Sequence, residues 1–141
     1  MSQGLRIAPP EAPVSGYAYG KGVYFADQLA LSAGYTRYHI SNKTGLLLLC
    51  QVALGNQMFT GCDCNLHTKV IKSKNFDSAT SQGGGVPNPK DDVIKKEKIG
   101  GKVQEYKVPL GKTNNGGYSQ FMVYNTDQIM MKYLIRIKFT N

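Results

Sequence analysis

No apolar run in the 141 residues approaches the roughly 18–20 that a membrane-spanning helix needs. The longest, Leu46 to Cys50, suits a buried strand. Met1 to Pro10 has neither a basic start nor an apolar stretch, so no secretory leader is visible. Cysteine is scarce and odd in number, at three, which argues against a disulfide scaffold and for a reducing compartment. Internal repeats are absent. Neither Gly20-Lys21-Gly22 nor Gly83-Gly84-Gly85 stands between a strand and a helix in the spacing of a phosphate loop. Acidic residues are few, nine against 17 basic, and the net charge is +8.

What is present describes one ordinary domain, residues 1–141, long enough to bury a core. Hydrophobic residues make up 41% and charged residues 18%, too little charge for a disordered chain. The basic surplus gathers in Lys69 to Lys112, which holds ten lysines against five acids. That stretch reads as a solvated face, with weak polyanion binding as the sharper alternative. It lacks the aromatic interleaving of a single-strand binder. Cys62-Asp63-Cys64 with His67 makes a poor zinc spacing, and no metal is expected.

Ala8 to Gly22 holds three prolines and three glycines and reads as an ordered, irregular loop. Val23-Tyr24-Phe25 follows as a very short strand. Asp27 is expected to cap a helix from Gln28 to about His39. Leu46 to Leu54 predicts a strand buried on both faces or nearly so. Thr60 to about Gly101 predicts long surface loops with short strands at most. Phe121 to Tyr124 predicts a strand. The stretch ending at Phe139 predicts a half-buried one, with Tyr133, Ile135, Ile137 and Phe139 on one face. The class is α+β, mainly antiparallel.

Two stretches carry more than periodicity. One runs from Gly4-Leu5-Arg6-Ile7-Ala8-Pro9-Pro10-Glu11-Ala12-Pro13 to Gly20-Lys21-Gly22-Val23-Tyr24-Phe25-Ala26-Asp27. The other is Tyr118-Ser119-Gln120-Phe121-Met122-Val123-Tyr124, with Gln128-Ile129 and Lys132-Tyr133-Leu134 beyond it. Both resemble the catalytic domain of the poly(ADP-ribose) polymerases, the diphtheria-toxin-like ADP-ribosyltransferases. Val52-Ala53-Leu54-Gly55 matches a further family strand, and the likeness weakens from Thr60 to Lys102.

The resemblance implies two packed antiparallel sheets with one short helix, and NAD as substrate in the cleft between the sheets. It implies transfer of ADP-ribose to a protein acceptor with release of nicotinamide, in a nuclear or cytoplasmic setting. Position by position, Tyr24 matches the tyrosine of the family's His-Tyr-Glu triad. Ser32 matches the serine that bonds the nicotinamide amide, and Tyr35 the tyrosine that stacks on its ring. Arg6 matches an arginine beside the adenosine half, and Ala8 to Gly20 the donor loop. Without the surrounding runs, Tyr24 would read as core, Ser32 and Tyr35 as helix packing, and Arg6 as a surface charge.

The sequence also departs from the family. Gln120 stands where the resemblance places the triad glutamate, and Leu31 where it places a lysine. The triad histidine belongs to a His-Gly pair upstream of Gly4, and neither His39 nor His67 matches it. The sheet is therefore expected to lack its first strand. The expected activity is mono-transfer or attenuated transfer. The alternative is an inactive pseudo-transferase that binds NAD, a nicotinamide-like ligand or a partner protein through the same cleft.

Overall fold

Short apolar runs, cut apart by glycine and proline, fold into strands with two brief helices between them. A computed structural model describes residues 4–9, 11–13, 16–36, 43–109 and 116–140. In chain order these are β1 (Val23–Phe25), α1 (Leu29–Gly34), β2 (Thr44–Val52), β3 (Gln57–Phe59), α2 (Thr68–Ser73) and β4 (Ser78–Ser81). Then come β5 (Val93–Ile99), β6 (Lys102–Val108), β7 (Gln120–Val123) and β8 (Ile129–Lys138). The class is α+β. Among the described residues the strands sort into a four-stranded sheet, β1-β7-β4-β3, and two two-stranded ladders, β2-β8 and β5-β6. All pairs are antiparallel except β3 with β4.

The core lies against one face of the four-stranded sheet. Met122 and Ala79 are fully buried there, with Leu66, Ile71 and Tyr124 packed over them. Tyr19, Tyr24, Met58, Val70 and Phe76 close the rim. Three of these residues come from Leu66 to Ile71, in the stretch expected to be surface loop. The lysines hid a helix. Lys69 and Lys72 are exposed, while Val70 and Ile71 between them turn inward, as the helical period requires.

The hairpin β5-β6 is a second correction to the same stretch. Its two seven-residue strands are joined by Gly100 and Gly101, at φ +58° and +82°. Two consecutive positive φ values are what a tight type I′ turn demands, and glycine meets them without strain. Gly100-Gly101 is a local turn signal, but neither flanking run alternates and the density of lysine obscures it.

Inward-facing Glu97 docks the hairpin onto β8. Its carboxylate accepts from the Lys132 ammonium and, at 2.6 Å, from the Tyr106 hydroxyl. Lys132 also stands 5.4 Å from the centre of the Tyr106 ring. The Lys132 bond, then the Tyr106 bond, hold the Glu97 carboxyl below its usual 4.5, and Glu97 in turn pushes the Tyr106 phenol up to about 12. A depressed carboxyl pKa adds stability that is present above the unfolded value and is lost as pH falls through the folded one. The melting temperature is therefore expected to drop as pH is lowered below 4.5. Glu97→Gln should flatten that part of the profile. Parallel acid limbs for the two proteins would contradict this.

Strand β2 differs from expectation. Among the described residues it pairs only with β8, and Leu46 and Leu134 are 61% and 57% exposed. An apolar run signals burial, but one ladder partner leaves much of this one uncovered. In β8 Tyr133 to Lys138 keep an unbroken register with β2, so Tyr133, Ile135 and Ile137 share a face as expected, but Tyr133 and Ile135 stay exposed; a bulge shifts the register just before Tyr133. Lys132, at that shift, turns inward to Glu97 while Tyr133 is half exposed.

Candidate active site

The loop before β1 is irregular but tied down. Within it the Ala12 amide donates to the Pro9 carbonyl at 3.0 Å and the Gly20 amide to the Tyr17 carbonyl at 3.1 Å. The Lys21 ammonium reaches back to the carbonyls of Pro9 and Ala12, at 3.0 and 2.7 Å. Two phenols clamp the loop's far end. The Tyr124 hydroxyl donates to the Tyr19 carbonyl at 2.6 Å, and the Tyr24 hydroxyl donates to the Gly20 carbonyl at 2.7 Å. Tyr24 also accepts from the Tyr19 amide at 2.9 Å. The Cys62 thiol adds a bond to the Ala18 carbonyl at 3.1 Å. Nothing in the sequence marks Lys21, Tyr19, Tyr124 and Cys62 as supports of this loop, since loop support is a matter of contact and not of spacing.

Tyr24 sits in the middle of β1, opposite Met122 of β7. Cross-strand partners share a face, and so do residues two apart along a strand. Gln120, two before Met122, therefore lies on the face that carries Tyr24, on the diagonal and about 7–8 Å away by sheet geometry. Ser81 is the partner of Gln120 on β4. The Tyr19 hydroxyl donates to the Ser81 hydroxyl at 2.8 Å, and its ring centre is 6.3 Å from that of Tyr24. Tyr19, Tyr24, Ser81 and Gln120 thus form one group at an end of the sheet.

Burial pushes the Tyr24 phenol up, with the Tyr19 backbone bond opposing in part. The ring stays neutral through the physiological range. With its hydrogen on Gly20 and an acceptor site on Tyr19, it offers a neighbour its ring face more than its hydroxyl. Gln120 is half-buried and uncharged.

Ser32 and Tyr35 belong to α1 and its C-cap. The Tyr35 amide donates to the Ser32 carbonyl at 3.1 Å, so the two side chains are one turn apart on one side. Ser32 is half-buried, and the Tyr35 ring is 78% exposed. Arg6 is exposed, in the irregular segment before Pro9. The structure brings Tyr24 with Gln120, and Ser32 with Tyr35. Among the described residues no ring stacking or hydrogen bond joins the two pairs directly.

The expected cap is not made. Gln28, not Asp27, precedes the helix, and α1 has no side-chain cap. One carboxylate oxygen of Asp27 is buried without a partner, and burial pushes this carboxyl up. Within the described residues the helix ends at Gly34, and the expected extension through His39 lies partly outside them. Among the described residues no three His, Cys, Asp or Glu side chains stand together as a metal would need. A cavity of about 280 Å³ opens between α2 and the turn after β7, lined by Ile71, Lys72, Phe76, Asp77, Tyr124 and Gln128 among others. It contains none of the five candidate residues.

Comparison with known proteins agrees with the run of motifs. The family model of the poly(ADP-ribose) polymerase catalytic domain matches residues 1–139. The chain is 39% identical over 147 residues to a poly [ADP-ribose] polymerase of Sarcophaga peregrina, covering 99% of this chain and 14% of that protein. It is 40% identical over 146 residues to poly [ADP-ribose] polymerase 1 of Danio rerio, covering 99% and 13%. Against poly [ADP-ribose] polymerase 2 of Arabidopsis thaliana it is 39% identical over 150 residues, covering 99% and 22%. The chain therefore spans under a quarter of the length of these relatives.

Proposed function

The chain belongs to the poly(ADP-ribose) polymerase catalytic domain family, and on that footing we propose that residues 1–141 act as one NAD-using ADP-ribosyltransferase domain, mono-transferring or attenuated. In this reaction the bond from ribose C1 to the nicotinamide nitrogen breaks, and its electron pair leaves with nicotinamide. A bond forms from C1 to a side-chain oxygen or nitrogen of a protein acceptor, whose proton passes to water. The ribose carries oxocarbenium-like charge on the way.

The observation that carries this reading is the shared face of Tyr24 and Gln120, beside a loop pinned at both ends. In the proposed complex the Tyr24 ring lines the nicotinamide ribose and the Tyr35 ring lies on nicotinamide. The exposure of Tyr35 suits a residue that gains its partner only on binding. The Ser32 hydroxyl bonds the carboxamide, and Arg6 balances charge on the adenosine side. Gln120 can hold a ribose hydroxyl but lends the transition state no negative charge. The neutral Gln120 argues for transfer of a single unit. An intracellular setting, nuclear or cytoplasmic, suits three unpaired thiols. Polyanion binding through Lys69 to Lys112 remains secondary.

Benzamide, a neutral stand-in for nicotinamide, tests the site. It is expected to raise the melting temperature of the wild-type protein, and Tyr35→Ala should abolish that shift while leaving the unliganded protein nearly as stable. Stabilisation that survives Tyr35→Ala would remove Tyr35 from the site. The neutral Gln120 favours the second reading, a pseudo-transferase that binds without turnover. Benzamide stabilisation with no nicotinamide released from NAD would select it. Long polymer on an acceptor would overturn mono-transfer.

A further inference from the structure

We propose that Gln28 is a positioning residue, whose buried amide clamps the helix carrying Ser32 and Tyr35 to Gly85, in the glycine run that packs against the segment leading into Gln120. The inference rests on the reading of the cleft given above. Gln28 is 6% exposed, and its side-chain nitrogen donates to the Gly85 carbonyl at 2.8 Å. The Gly85 amide donates in turn to the Gly117 carbonyl at 3.1 Å, and the Gly83 amide to the Ser119 hydroxyl at 3.1 Å. Ser119 is itself buried and stands immediately before Gln120. One side chain therefore ties α1 to the segment that delivers Gln120 to the sheet.

Two features make the clamp more than a packing contact. First, among the described residues α1 has little else to hold it: it buries no residue and has no side-chain cap, and its first residue, Leu29, is 63% exposed. Its other end rests where Thr36 closes over Gly45 of β2. A six-residue helix without an apolar anchor takes its orientation from such pins. Second, the two glycine runs touch backbone to backbone. A Cβ on Gly83 would overlap the Gly117 carbonyl, and one on Gly116 would overlap the backbone of Gly84 and Gly85. The run Gly83-Gly84-Gly85 is thus a close-approach surface that presents the Gly85 carbonyl to Gln28, not a slack tether. Loss of the amide leaves that carbonyl buried without its donor, and frees the helix to rotate relative to the loop.

The test uses the full chain with Gln28→Met, which keeps the length and volume and removes the N–H. Thr68→Val is the stability control. It deletes the bond from Thr68 to the Tyr124 carbonyl, made at 2.7 Å away from the cleft residues. Benzamide affinity is expected to fall by about tenfold or more in Gln28→Met, and to stay within about twofold in Thr68→Val at a similar loss of melting temperature. Equal affinity in Gln28→Met and wild type, or equal losses in both variants, would overturn the positioning role. Amide hydrogen exchange gives a readout without ligand. Gln28→Met is expected to speed exchange in α1 and in residues 116–119 together, with α2 unchanged; exchange unaltered in either segment would also overturn it. If wild type fails to bind benzamide while the two segments still loosen together, the cleft reading fails and the clamp stands.

Discussion

Nicotinamide release from NAD is expected to rise by about 10²–10³-fold when Gln120 is replaced by glutamate. Glutamine and glutamate have nearly the same shape, so the change adds a negative charge and little else. Gln120 opens β7, the strand between β1 and β4, and is half-buried. In the proposed complex a carboxylate there would face a ribose cation through a medium less polar than water, where one well-placed charge is worth about 2–4 kcal/mol in the transition state. The measurement is single-turnover release of labelled nicotinamide, with benzamide affinity as the control for folding and binding. Unchanged turnover with benzamide affinity intact would mean that the carboxylate is not the limiting defect.

Gly20→Ala should cost about 2–5 kcal/mol of stability, a melting loss of about 10 °C or more. Gly20 has φ +75°, a conformation that strains any side chain. A Cβ there would also overlap the carbonyl of Leu66 and stand 3.0 Å from its Cα. Leu66 is 1% exposed and part of the core, so the obstacle is backbone that cannot swing aside. The same glycine carbonyl receives the Tyr24 hydroxyl, so a shift of the backbone would break the loop's anchor as well. Gly16→Ala separates the two causes. Gly16 has φ +89° but no atom of the described residues within 4 Å of the new Cβ, so it should show strain alone, about 1–2 kcal/mol. Thermal or urea unfolding of both variants decides it. Equal losses at the two positions would mean that contact with Leu66 contributes nothing.

Most of the candidate site was legible because its residues sit in short, dense runs. Tyr24 is flanked by Gly22 and Asp27, and Gln120 by Tyr118 and Tyr124, so a resemblance is carried by neighbours in sequence. The strands Val23–Phe25 and Gln120–Val123 could be read, the second to within one residue, because apolar runs bounded by glycine or turn residues leave few alternatives. The helix α2 and the hairpin β5-β6 could not be read, because lysines interrupt their short apolar stretches and leave no clear apolar period.

The amino-acid order alone settled the family and the neutrality of Gln120, and it indicated the irregular loop before β1, since these depend on residue identity and local backbone limits. Tertiary structure decided which face of the sheet Tyr24 and Gln120 share, that Gln28 and not Asp27 is committed at the start of α1, and that β2 is half exposed. Each of those outcomes depends on contacts between residues far apart in the chain. The Gln28–Gly85 bond spans 57 positions and the Tyr124–Tyr19 bond 105, and no local pattern of polarity encodes a partner at that distance.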